Sequence, residues 1–522
     1  MAFVSAEMLW ISGWGLVAAL LLGWAVSALE WVWWRPRRLE RALRAQGLKG
    51  TRYRFLHGDQ KEYHRLHKEA LSKPMAFSHQ IIPRILPHLH QAIKKNGKIS
   101  FTWFGPKPRV IIMDPGLTRE ILSNKFGHFE KPHSNPLGRL LVAGLVRYEG
   151  EKWAKHRRII NPAFHLEKLK CMMPAFSTCC DELINKWERL VASKGSCELD
   201  VWPEFQSFTG DVISRTAFGS NFREGQRIFH LQEEQAQLVV QALQNIYIPG
   251  FRFLPTKKNK RMKEIDIEIR SLLRSMIEQR EMVIRKEGAS NDDLLGLLME
   301  SNFRYSKENG GSKNSGMSTE DVIEECKLFY FAGHETTSVL LTWTLVALSM
   351  HPSWQARARE EVHGVFGKNK PDYDGLSRLK IVTMVLYEVL RLYPPVILLQ
   401  RKTFKEMKLG QFTFPDGVEL SLPIIFIHHD PEFWGEDASE FNPERFAEGV
   451  SKASKIPGAF FPFSGGPRIC IGQSFAMMEA KMALARILQH FMFELSPSYA
   501  HAPYTVATLH PQHGAQIILH RH

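Results

Sequence analysis

Apolar residues run from Met8 to Leu29 with only Ser12 and Ser27 among them, the ~20 residues that a helix needs to cross a bilayer. Glu7 is the one charge before the run. Arg35, Arg37, Arg38, Arg41, Arg44 and Lys49 follow it, so the positive-inside rule sets the rest of the chain in the cytosol. Trp31, Trp33 and Trp34 fall at the level of a headgroup belt. Val26-Ser27-Ala28 has the small residues of a leader-cleavage site. An anchor fits better: the run is long for a leader, no basic stretch precedes it, and no Asn-x-Ser/Thr sequon occurs downstream.

Trp34-Arg35-Pro36-Arg37-Arg38 reads as a short hinge, and Leu39 to Gln46 as a helix lying near the membrane. Farther on, alternating or β-branched stretches predict strands at Ile99 to Phe104 and Arg109 to Met113, broken by Gly105-Pro106, and at Phe412 to Phe414, Glu419 to Leu422 and Gln516 to Leu519. Long amphipathic runs predict helices over Leu166 to Val191, Ile265 to Arg285 and Ile323 to Met350. The polar, glycine-rich stretch Tyr305 to Ser318 reads as a surface loop. Ser318-Thr319-Glu320-Asp321 offers an N-cap with acids in the first turn of the helix after it. The expected fold class is mainly α with a minor β domain. Its divisions are an anchor over 1–34, a basic hinge or interfacial segment over 35–50, and one large unit over 51–522.

Composition narrows the setting. With 68 Lys and Arg against 54 Asp and Glu, the 522-residue chain carries a net charge of +14, which suits an acidic protein partner or an anionic membrane surface. No zinc-finger spacing or aromatic-basic RNA motif points to nucleic acid. Cysteines 171, 179, 180, 197, 326 and 470 are too scattered for a disulfide framework and fit a reducing compartment.

Chemistry concentrates in two places. Phe463-Ser464-Gly465-Gly466-Pro467-Arg468-Ile469-Cys470-Ile471-Gly472 sets one cysteine in a glycine-bracketed loop. Glycines let backbone press against a flat ligand, Arg468 reaches an acidic group on it, and a thiolate there suits haem iron. Ala332-Gly333-His334-Glu335-Thr336-Thr337 interrupts an apolar helix with an acid beside alcohols, the makings of a proton relay, and Gly333 leaves room for a ligand. A zinc-peptidase reading of His334-Glu335 fails, because Ser338 stands where the second histidine belongs. Ile427-His428-His429-Asp430 reads as a turn entry, since consecutive residues on an extended chain point apart.

The spacing Phe-x-x-Gly-x-Arg-x-Cys-x-Gly resembles the signature of the haem-thiolate monooxygenases, the cytochromes P-450, and the Glu335 segment is similar to their oxygen-activation motif. The resemblance implies haem b on Cys470, and Glu335 and Thr336 delivering protons. It also implies cofactor contacts from Trp153, Arg157, Arg401, Phe463, Arg468 and Gly472. Glu388 and Arg391, three apart on an apolar helix, are expected to form a structural triad with Arg445 of Phe441-Asn442-Pro443-Glu444-Arg445-Phe446. Expected cavity walls are Leu140, Leu141, Phe329, Ala332, Ile397, Leu398 and Leu399, with Val396 to Arg401 extended.

Arg38-Leu39-Glu40, Gln46-Gly47-Leu48-Lys49-Gly50 and the tail Phe493 to Pro503 resemble the plant secologanin-synthase-like group, which implies a terpenoid (iridoid, triterpenoid or gibberellin-like) or a herbicide as substrate. The proline-rich hinge usual after such anchors is reduced to Pro36. No flavin or nicotinamide fingerprint appears, so electrons from NADPH are expected through a separate flavoprotein reductase at the endoplasmic reticulum, docked near Lys152, Lys155, Arg157 and Arg158. Other readings are a haem-thiolate isomerase or dehydratase, and a silent haem- or lipid-binding protein. An intact Glu335-Thr336 relay argues against both.

Overall fold

The computed structural model describes residues 2–124, 127–132, 136–192, 195–219, 222–243, 250–287, 293–308 and 316–521. Helix α1 (Ala2–Leu29) passes through one π-helical turn, Glu30–Trp34, into α2 (Arg35–Ala45). The expected hinge is therefore helical. Pro36 stands in the first turn of α2, where a missing N–H breaks no ladder bond, so proline starts this helix and does not interrupt its predecessor. From Trp14 onward α1 lies exposed, Leu20, Leu22 and Trp24 included, an apolar surface with no protein against it. It is the one helix among the described residues long and apolar enough to span a membrane.

α2 behaves differently. Leu39 and Leu43 are buried in the main core, Arg37 stacks on Trp33 at 3.5 Å, and the Tyr53 hydroxyl donates to the Val32 carbonyl at 2.5 Å. Two leucines buried this way stabilise the attachment by roughly 1.5–3 kcal/mol each. The basic segment is part of the globular body.

Strands β1 (Ile99–Phe104) and β2 (Lys107–Ile112) form a hairpin in register from Ile99 opposite Ile112 to Phe104 opposite Lys107. Gly105 makes the turn at φ 57°, a conformation that suits glycine ahead of Pro106. β3 (Leu399–Thr403) and β4 (Glu419–Leu422) extend this sheet, which ends on Lys49–Gly50 at one edge and Phe129–Glu130 at the other. A separate hairpin pairs β5 (Pro503–Thr505) with β6 (Leu509–Pro511).

Helices make up the rest. α3 (Gly150–Ile160) and α4 (Val201–Phe218) flank the central α5 (Thr319–Met350), which is buried along most of its length and packs on α4, α6 (Lys380–Leu392) and α7 (Gln473–His490). Its start is the expected one: Ser318 Oγ accepts from Asp321 N, and the Asp321 carboxylate accepts from Ser318 N, both at 3.2 Å. Two expectations change. Leu166 to Val191 divides into Leu166–Cys171 and Met173–Ala192, because Pro174 opens a new first turn. Tyr305 to Glu308 belong to the end of helix Leu294–Glu308, tied down where Asn302 bonds both backbone groups of Met317; positions 309–315 lie outside the described residues.

Candidate active site

The loop before α7 is fixed by its own backbone. Cys470 N donates to Phe463 O at 2.9 Å, and Gly466 takes φ 65° with its absent Cβ only 2.2 Å from the Leu122 carbonyl, so no larger residue fits there. Cys470 is solvent-accessible on one side and crowded by protein on the others. That crowding raises the thiol's pKa above its usual value, while the Gly472 backbone N–H and the Arg157 charge pull it back.

α3 brings two predicted residues to this loop. Arg157 Nη1 donates to Ile469 O at 2.9 Å, and the Arg468 guanidinium lies 4.5 Å from the Trp153 ring centroid. Arg468 also pairs with the Glu149 carboxylate and donates to Tyr148 O at 3.0 Å, yet its Nη1 is buried without a hydrogen-bond partner among the described residues. Arg401, buried on β3, reaches only the adjacent Gln400 carbonyl, at 2.9 Å. Burial, and then Arg468, depress its pKa to about 10.

Lys131 joins this group, a residue that sequence reasoning missed. Its Nζ donates to Val146 O at 2.6 Å, and burial followed by Arg401 and Arg468 lowers its pKa to about 7. Lys131, Arg401 and Arg468, with Arg147 near Lys131, thus outnumber the two carboxylates beside them, Glu149 and Glu130. Haem carries two propionates, and the surplus of positive charge, the orphaned Arg468 Nη1 and the glycine-formed approach to Cys470 all fit it.

The predicted triad comes together behind the loop. Arg391 grips Glu388 through Nε and Nη2 at 2.8 and 2.7 Å and satisfies the carbonyls of His428, Ala438 and Glu440. Arg445 Nε stands 3.5 Å from Glu388 Oε1, which also accepts from Asn442 N at 2.9 Å. Glu388 and Arg391 are both fully buried, so the pair rests on these further bonds. His428 and His429 close the short helix Ile424–His428 and engage Phe461 N and Leu392 O. No group of potential metal ligands forms among the described residues.

On α5 the Thr336 hydroxyl donates to Ala332 O at 2.8 Å. Glu335 makes no bond to it. The Glu335 carboxylate instead accepts from Thr508 Oγ1 at 2.6 Å and His510 Nε2 at 2.5 Å, both near β6. Burial pushes this acid up, but the His510 bond and charge outweigh it and hold the pKa at about 2. A Cβ at Gly333 would lie 2.8 Å from Ile213 Cδ1, so its lack of a side chain also lets α4 approach. Glu479 on α7, likewise missed, is fully buried near Thr337, with both carboxylate oxygens unpartnered and its pKa pushed well above the usual range by burial.

The wall residues separate. Phe329, Ala332, Ile397 and Leu399 pack with the main core and Leu398 is half-buried beside them, whereas Leu140 and Leu141 belong to a second cluster with Val239 and Met262. The basic face separates as well. Lys152 is held by Asp321 at 2.7 Å and Arg157 is turned to the cysteine loop, which leaves Lys155 and Arg158 without an ion-pair partner among the described residues.

A mainly helical body around a buried central helix, with an accessible cysteine in a glycine loop, defines a haem-thiolate protein. The chain belongs to the cytochrome P450 family, whose model matches residues 75–516. It falls within the plant secologanin-synthase-like group. Cytochrome P450 CYP72A616 of Paris polyphylla is 67% identical over 97% of this chain and 99% of that protein. Secologanin synthase 1 of Catharanthus roseus is 51% identical over 96% of each. Among solved structures, retinoic acid bound cyanobacterial CYP120A1 shares the fold, with a TM-score of 0.72 and 24% identity over 83% of this chain and 94% of that one. The protein is accordingly a monooxygenase that uses haem with cysteine thiolate ligation, and a redox partner delivers electrons that originate in NADPH.

Proposed function

We propose that this protein, anchored in the endoplasmic reticulum membrane by residues 1–34 with its body over 35–522 in the cytosol, oxidises a hydrophobic terpenoid with electrons from a flavoprotein reductase. Haem, when bound, supplies reductive activation of dioxygen. Cys470 would hold its iron through the thiolate, with Arg157 and the Gly472 N–H stabilising that charge. Arg401, Arg468 and Lys131 would hold the propionates, Trp153 would support Arg468, and Phe463 O would fix the loop. Glu388, Arg391 and Arg445 would brace the segment behind it.

Thr336 and Glu335 would hold and move protons at Oγ1 and at the carboxylate. Phe329, Ala332, Ile397, Leu398 and Leu399 would present an apolar wall beside Thr336 and exclude water from it. The observation that carries the reading is the cation surplus of Lys131, Arg401 and Arg468 around the cysteine loop, one charge set matched to a dianionic cofactor. Similarity to secologanin synthase supports a terpenoid.

The test is reconstitution in membranes with reductase and NADPH against iridoids, triterpenoids, gibberellins and herbicides. The expected result is a substrate-induced shift in the haem spectrum and an NADPH-dependent product one oxygen heavier. Oxidation of herbicides without any terpenoid would replace the substrate class, and conversion without NADPH would replace the reaction.

A further inference from the structure

β6 carries a histidine toward the middle of α5, far from it in sequence. His510 Nε2 lies 2.5 Å from Glu335 Oε1 and 2.9 Å from Thr508 Oγ1, and Thr508 Oγ1 is itself 2.6 Å from the same carboxylate oxygen. All the Glu335 bonds are on Oε1, which leaves Oε2 without a partner among the described residues. The imidazole is fixed by aromatic neighbours: Trp202 of α4 at 4.6 Å and Tyr504 of β5 at 5.9 Å, nearly perpendicular at 88°. Its side chain keeps 12% exposure, against 9% for Glu335. The histidine therefore touches the acid on one side and solvent on the other.

An isolated carboxylate at this depth would favour its neutral form. A partner that donates to the carboxylate changes the balance. The other titratable groups facing the pair are His334, from α5 itself, and Tyr504. His334 is buried, and burial holds it neutral, with a pKa of about 4. Tyr504 is raised by its own burial and by Glu335. That leaves His510 as the titratable group bonded to the Glu335 carboxylate.

We propose that His510 is the positioning residue for Glu335: it holds the carboxylate through Oε1, away from Thr336, and passes it protons taken from solvent. In that step the imidazolium Nε2–H bond breaks, the proton forms an O–H bond on Glu335 Oε1, and the ring regains a proton from hydronium, which leaves as water. The neutral acid no longer forms an ion pair with the ring and is free to turn toward Thr336. This rests on the proposed proton role of Glu335 and Thr336, and one arm of its test needs no substrate.

In that arm the haem-loaded enzyme is unfolded thermally as wild type, His510→Gln, Glu335→Gln and the double variant. Each single change lowers the midpoint, and the double lowers it no further than the worse single. Losses that add would overturn the pairing. In the second arm His510→Gln keeps the carbon monoxide absorption and KM, loses at least about tenfold in kcat, and flattens the pH dependence of the rate. His510→Arg, a fixed cation, restores the midpoint and leaves the profile flat. A wild-type profile in His510→Gln would overturn the relay. Should His510→Gln fail to hold haem, Thr508→Val decides: it retains the imidazole and must retain the profile, and loss of the profile there would equally overturn the assignment. A terpenoid screen without a product leaves the unfolding arm standing, so the two proposals fail separately.

Discussion

The Arg157 guanidinium donates through Nη1 to the carbonyl of Ile469, the residue before Cys470, at 2.9 Å. One side chain thus fixes the loop and places a positive charge beside the sulfur. A bond of this charged kind contributes about 1.5–3 kcal/mol. Arg157→Ala should lower haem content and reduce the share of protein showing the thiolate-type absorption on reduction under carbon monoxide. Arg157→Lys, which keeps the charge without the planar fork, should recover part of that share. Unchanged spectra in both would remove Arg157 from the cofactor site.

Glu388→Ala leaves Arg391 buried and charged with only carbonyls around it, while Arg445 keeps its pair with Asp437. Breaking a buried pair by removing one member costs about 3–5 kcal/mol. The expected outcome is little folded, haem-loaded protein, read as the ratio of haem absorbance to protein on purification. Normal loading would show that the pair does not brace the loop.

Lys131 supplies a pH test with a fixed sign. Its pKa falls from an ordinary 10.5 to about 7 in the fold, so between those values the unfolded chain holds more protons. The haem-free protein should therefore gain stability as pH rises through that window, the cost of a buried charge being complete below about 7. Lys131→Met removes that cost. Urea unfolding of the haem-free variant should show it more stable at the acid end of the window, with a shallower slope, while the loaded variant releases haem faster. Stability and retention moving in the same direction would contradict a propionate role.

What the sequence discloses follows the reach of each interaction. Cys470, Arg468 and Gly466 lie within one loop, and Glu388 and Arg391 within one helical turn, so local spacing exposes them. Lys131, Glu479 and His510 carry no such spacing. Only folding sets Lys131 beside Arg401, or His510 on Glu335, and an isolated Lys-Pro or His-Pro pair gives no sign of it. Gly333 shows the same limit: a missing side chain looks alike in sequence whether a ligand or Ile213 uses the space. Pro36 was legible as a boundary, but not as the start of a helix that buries Leu39 and Leu43.

That burial makes the anchor's limit testable. A chain lacking residues 1–29 loses, over 14–29, mostly exposed apolar surface and should bind haem with reduced membrane association. Removing residues 1–45 also withdraws Leu39 and Leu43 from the core, where truncating a single leucine costs about 2–5 kcal/mol. The longer deletion should lower the thermal midpoint sharply. Equal stability of the two truncations would place α2 outside the folded body.

Reductase docking is best tested on the charges the fold leaves unpaired. Lys152 is bound to Asp321 at the start of α5, so reversing it would repel Asp321 and confuse docking with damage. Half-buried Lys155 and exposed Arg158 have no such partner among the described residues, and accessible charges of this kind set association rate more than intrinsic turnover. Lys155→Glu with Arg158→Glu should raise the reductase concentration needed for half-maximal activity several-fold at low salt. The gap to wild type should narrow as ionic strength shortens the Debye length toward about 8 Å. Turnover driven by peroxide, which bypasses the reductase, should stay unchanged. A defect independent of salt, or shared by the peroxide reaction, would move the docking surface elsewhere.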